Sequence, residues 1–76
     1  METNKVAAFE EARAMWNLTA FAMERWAACE RKARTSKTPR ERRIAASNAR
    51  NWKRTAEVYK LEAMEADATA WTIQLP

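Results

Sequence analysis

Four residues, Thr38-Pro39-Arg40-Glu41, constrain the architecture of this chain more than any other stretch. Thr38 offers a side-chain oxygen to a free N–H of a first helical turn. Pro39 falls at the first helical position, where its missing N–H costs nothing and its φ is already set. Glu41, three residues after the cap, can reach back to the cap's own N–H. The segment reads as a helix start, and it divides 76 residues into two stretches of nearly equal length. The expected fold is all-α: a two-helix antiparallel hairpin forming a single domain over 1–76. The first helix is expected over about 4–34, capped by Thr3 or Asn4. The turn falls at 35–37 and the second helix runs over about 39–70. The tail, 71–76, alternates apolar and polar residues and is expected to leave the helix and fold back near Val6 and Phe9.

Composition agrees with this. The chain has no glycine, which argues against tight β turns and against a phosphate-cradling loop. Alanine, Glu, Lys, Arg and Met, all good helix formers, take its place. Cys29 is the single cysteine and there is no histidine, so neither an intrachain disulfide nor a structural zinc site is expected. A free thiol fits a reducing compartment, and the expected location is the cytoplasm. No signal peptide is expected, since Glu2 and Lys5 precede any apolar run. The longest apolar stretch, 14–23, is interrupted by Asn17 and Thr19 and is too short to span a bilayer.

Small helical domains without disulfides or metals commonly gain stability by association. The apolar pattern points the same way. On the first helix Phe9, Trp16 and Met23 recur every seven residues, beside a row of Ala12, Thr19 and Trp26 and a row of Ala8, Met15, Ala22 and Cys29. Together they cover about half the circumference, more than a two-helix seam needs. On the second helix Ala49, Ala56, Ala63 and Ala70 form a row of small residues beside Ala45, Trp52, Tyr59 and Ala66. This is the expected antiparallel seam, with Trp16, Met23 and Trp26 facing the alanines. Leu61, Met64, Ala68 and Trp71 form a second stripe outside it, and Phe21 falls on the charged side of the first helix. Phe21, Leu61, Met64 and Trp71 have no place in a lone hairpin. They are candidates for an oligomer or partner surface, most simply in a homodimer that makes a four-helix assembly. Asn48 and Glu62 are expected on or beside the buried side, Asn48 as a register-setting polar group and Glu62 against a basic partner or at an interface edge.

Charge is strongly segregated. Between Arg31 and Arg54 there are ten Lys or Arg residues against one acid, whereas the rest of the chain has four bases and nine acids. In a hairpin this gathers positive charge at the turn. Bases at the end of the first helix suit its dipole. Arg40, Arg42 and Arg43 do not, because each opposes the positive start of the second helix by roughly a few tenths of a kcal/mol. Their replacement by Glu is expected to abolish binding and to leave the fold as stable or more so. Arg31, Arg34, Lys37, Arg40, Arg42, Arg43, Arg50 and Arg54 are the candidate partner-binding tip.

These features point to a non-catalytic binding protein acting on an acidic protein surface. In size, helicity, mixed charge and tryptophan content the chain resembles the small inhibitors encoded by phages and mobile elements, of the anti-CRISPR or anti-activator type. That resemblance implies inhibition of a host system. The alternative is a nucleic-acid-binding dimer using its basic turn end, which resembles in outline the helical hairpin that binds paired RNA loops in plasmid copy control. Against it, the tip lacks an aromatic residue for base stacking, and Asn48 and Asn51 are its nearest amide side chains. An enzyme is not expected: no histidine, glycine-rich loop, metal-ligand cluster or paired acids are present at a credible site, and Cys29 has no general base. No cofactor, metal, small-molecule substrate or membrane partner is expected, since the bases cluster at one end instead of along a polar face.

Overall fold

The computed structural model describes residues 2–73. It contains two α-helices, α1 (Glu2–Thr35) and α2 (Pro39–Thr72), packed against each other along their length. The hairpin measures 61 × 13 × 11 Å, with a radius of gyration of 17.2 Å. A compact chain of this length would have about 11 Å. The molecule is a rod, and most residues have at least one side open.

The helix start at Thr38 forms as the sequence requires. Its backbone is extended, and Oγ1 accepts the Glu41 N–H at 3.1 Å. Pro39 opens the helix and the Arg42 N–H makes the first α-helical bond, to the Thr38 carbonyl at 3.0 Å. Both helices run further than expected. Thr3 and Asn4 lie inside α1 and do not cap it. Thr35 is helical, so the turn is 36–38. Trp71 and Thr72 continue α2 where an extended tail was expected, and Ile73 ends it with an N–H bond to the Thr69 carbonyl at 3.2 Å. Nothing in the Trp71-Thr72 pair breaks a helix, and the Trp71 ring gains Phe9 by staying in it. Residues 74–76 of the expected tail lie outside the described residues.

A chain without glycine lacks the residue that most readily ends a helix in the left-handed region, and no positive φ occurs among the described residues. Side chains take over the capping that glycine geometry usually provides. The Thr35 hydroxyl donates to the Arg31 carbonyl at 2.8 Å, and the Ser36 hydroxyl and N–H both donate to the Lys32 carbonyl. Arg42 reaches back from α2, its Nη1 donating to the carbonyls of Ser36 at 3.0 Å and Lys37 at 3.3 Å. Hydroxyls thus close the last turn of α1 at Arg31 and Lys32, and a guanidinium holds the turn carbonyls that follow it.

The seam is lined by small side chains from both helices. Ala45, Ala49, Ala56, Ala63 and Ala70 of α2 are buried, as are Ala12, Thr19 and Ala22 of α1. The Thr19 hydroxyl is satisfied within its own helix by the Met15 carbonyl at 2.8 Å. The alanine row of α2 is where the sequence put it, but its opposite number is not. Trp16 and Met23 are exposed and Trp26 is half-buried. Small rows meeting small rows bring the two backbones close, which leaves no room for an indole between them. The large side chains are displaced to the flanks, and no large side chain among the described residues is fully buried. Cys29, on the row of Ala8, Met15 and Ala22, is likewise half-buried rather than part of a closed core.

Candidate binding surface

Seven-residue spacing sorts every position of an antiparallel hairpin onto the seam, onto one of its two edges, or onto the back of a helix. Two aromatic contacts fix which rows share an edge. Phe9 meets Trp71 edge-on with ring centroids 5.1 Å apart, and Phe21 meets Trp52 edge-on at 5.8 Å. The rows of Phe9 and Trp71 therefore line one side of the seam, and those of Phe21 and Trp52 the other.

On the Trp71 edge, α2 presents Arg43, Arg50, Glu57, Met64 and Trp71 in one seven-residue row, with Arg40, Arg54 and Leu61 on the neighbouring row behind it. Basic groups stand at the turn end and apolar groups at the open end of one continuous strip. Trp71 is 70% exposed, Leu61 63% and Met64 50%. At the turn end a shallow groove is lined by Trp26, Glu30 and Arg34 of α1 and by Arg50 and Lys53 of α2, over a floor of Ala33, Ala46 and Ala49. The Trp26 indole N–H donates to the Glu30 carboxylate at 2.9 Å, while the Lys53 ammonium lies 5.8 Å from the centre of its ring. Trp26 and Lys53 were not among the expected site residues. Trp26 had been placed in the seam, and Lys53 was counted in the basic cluster without a position. Its three-residue step from Arg50 is the signal that would have found it.

The eight expected tip residues are all exposed, but they do not share one face. Arg34, Arg43 and Arg50 fall toward the Trp71 edge, with Arg40 and Arg54 on the row behind them. Arg31 belongs to the outward row of Glu10, Asn17 and Glu24 on the back of α1, and Lys37 sits in the turn itself. Arg42 is committed to the turn carbonyls. It is a structural clamp, so it separates from Arg40 and Arg43 in any argument about stability.

The Trp52 edge has a different character. At its centre stand Leu18, Phe21 and Val58, all exposed, beside half-buried Trp52 and Tyr59. The Arg25 guanidinium lies 5.8 Å from the centre of the Trp52 ring. Toward the turn, a groove is lined by Arg25, Cys29, Lys32, Glu41, Ile44 and Asn48. Toward the open end, a second groove is lined by Ala8, Glu11 and Met15 of α1 and Glu62, Glu65 and Thr69 of α2. Asn48 is thus exposed on a groove wall and is no seam asparagine. It lies three residues along from Ala45, one step too far round the helix. Glu62 is also exposed; of its two expected settings it has the edge position and not the basic partner, since its groove neighbours include two further acids, Glu11 and Glu65. The four candidate apolar residues do not form one patch: Phe21 is on this edge, while Leu61, Met64 and Trp71 belong to the other.

Among the described residues no cluster of three His, Cys, Asp or Glu side chains could hold a metal ion, and no helix is long and apolar enough to cross a membrane. No family model matches the chain, and neither the curated proteins nor the solved structures offer a significant match.

Proposed function

We propose that this chain is a non-catalytic binding protein whose Trp71 edge docks on another protein, one presenting an acidic surface beside an apolar groove. The observation that carries the reading is the strip itself: Arg43 and Arg50 lead along one helical row to Met64 and Trp71, with Arg40, Arg54 and Leu61 alongside. Trp, Met and Arg are the side chains that dominate protein interfaces, and apolar groups this exposed in a row call for an occupant. Arg40 and Arg43 also oppose the helix dipole, a placement that stability alone does not favour. The reading is that of a small inhibitor of a host system, of the kind phages and mobile elements encode, acting in the cytoplasm. It also has two copies of the hairpin pairing into a four-helix assembly. The support for pairing is surface area. The chain exposes 6038 Å², against about 4,800 Å² for a compact monomer of this mass.

A pull-down from host lysate tests the strip. Wild-type protein is expected to retain a specific partner; Arg40→Glu with Arg43→Glu, and separately Met64→Ser with Trp71→Ser, are each expected to lose it while keeping helical circular dichroism. Retention by both variants overturns the reading.

One observation favours a second reading, contact with nucleic acid: Trp26 lines a groove with Arg34, Arg50 and Lys53, so a flat ring stands among the cations after all. Glu30 in the same groove weighs against phosphate. Affinity for mixed RNA or DNA that falls steeply with salt would select this alternative.

A further inference from the structure

We infer that the Trp52 edge is a self-complementary surface on which a second copy of this chain docks antiparallel, about a two-fold axis at the level of Leu18. This rests on the pairing in the proposed function and adds the face and the orientation. The outer row of α1 on this edge reads Glu11, Leu18, Arg25, Lys32 at seven-residue intervals. Reversed about Leu18, Glu11 falls on Arg25 and Arg25 on Glu11.

The second helix adds acids to the Glu11 end of this edge and no base to the Arg25 end, where it places Glu41, Ile44 and Asn48. Phe9 meets Trp71, Phe21 meets Trp52 and Arg25 lies over the Trp52 ring, so Leu18 is about level with Tyr59. Glu62 and Glu65 stand on the same side of that level as Glu11. Arg25 and Lys32 stand on the other. A two-fold axis there sets Arg25 of each copy against Glu11 of the other, with Glu62 and Glu65 alongside, at both ends of the contact. Between them Leu18 meets its own copy and Phe21 falls level with Met15 of the second copy, beside Val58, Trp52 and Tyr59. This is the isologous arrangement of a closed dimer, in which residue i meets j and j meets i. A parallel arrangement would stack acids on acids and bases on bases. The surplus area of the rod is of the order of the roughly 800 Å² that each partner buries in a standard interface. The Trp71 edge stays free on the outside of the assembly.

The test uses sedimentation equilibrium and charge reversal. Wild-type protein is expected to be a dimer. Arg25→Glu alone and Glu11→Arg alone are each expected to raise the dissociation constant by at least about tenfold, since like charges then face each other. Their combination in one chain restores the pair with its sign inverted and is expected to restore the dimer. Orientation is read by energy transfer between dyes on Lys37→Cys in a Cys29→Ser background. The turns of an antiparallel dimer lie about 55 Å apart, counting 1.5 Å per residue from the axis, and those of a parallel one lie together. A wild-type chain that stays monomeric at millimolar concentration, a dimer indifferent to Arg25→Glu, failure of the combined variant to recover, or dyes in contact would each overturn the inference. A monomer overturns the pairing and the inference together, whereas a dimer that ignores Arg25→Glu or brings its turns together overturns the inference alone; none of these outcomes alters retention of a partner by the Trp71 edge.

Discussion

Arg40 and Arg42 sit two residues apart in the first turn of α2, and their side chains do opposite things. Arg40 is exposed with its charge set against the helix dipole. Arg42 has the same unfavourable charge but turns back to hold the Ser36 and Lys37 carbonyls. Arg40→Glu is therefore expected to raise the thermal midpoint or leave it unchanged, while Arg42→Glu lowers it, because a carboxylate cannot donate and repels those carbonyls. Circular dichroism melts of the two variants, side by side, check this; a lower midpoint for Arg40→Glu than for Arg42→Glu would refute it. Thr38 was legible from sequence as a cap because its partner is three residues away in the same turn. The clamp by Arg42 was not, because it depends on how the chain comes round from α1.

At the scale of the helix, the buried surface is a ladder of alanines. Each rung is small, so hydrophobic gain per residue is modest, and the fit depends on what is missing from the side chains. Ala63, with 0% exposure, sits in the middle of the row. Ala63→Leu is expected to destabilise the hairpin by about 1–3 kcal/mol, since added methylenes would have to force the backbones apart. Urea unfolding would measure it. At the exposed Ala68 the same change is expected to be nearly neutral. The row on α2 could be read directly, because alanine recurs there at 49, 56, 63 and 70 without interruption. On α1 the sequence offers three adjacent apolar rows, and nothing local ranks them. Which one faces the partner was decided by the partner's smallness, which selects Ala12, Thr19 and Ala22 over the row of Phe9, Trp16 and Met23. The basic cluster was legible in the same partial way. Its residues were named, yet their sharing of an edge with Met64 and Trp71 required counting one row through the whole of α2.

At the scale of the molecule, the two edges differ: one carries a base-to-apolar strip, the other a row in which Glu11 and Arg25 stand symmetrically about Leu18. If copies pair as inferred, folding and association are linked, and stability depends on concentration. A hundredfold increase in protein is expected to raise the melting midpoint by about 5–10 °C. A midpoint independent of concentration would mean that the single hairpin is the folded unit. The rod shape has a kinetic corollary. Near the turn, residues that meet are neighbours along the chain, so bringing them together costs little entropy, whereas Phe9 and Trp71 are 62 positions apart. The hairpin is therefore expected to close like a zip, started at the Arg42 clamp and finished by two rings at its far end.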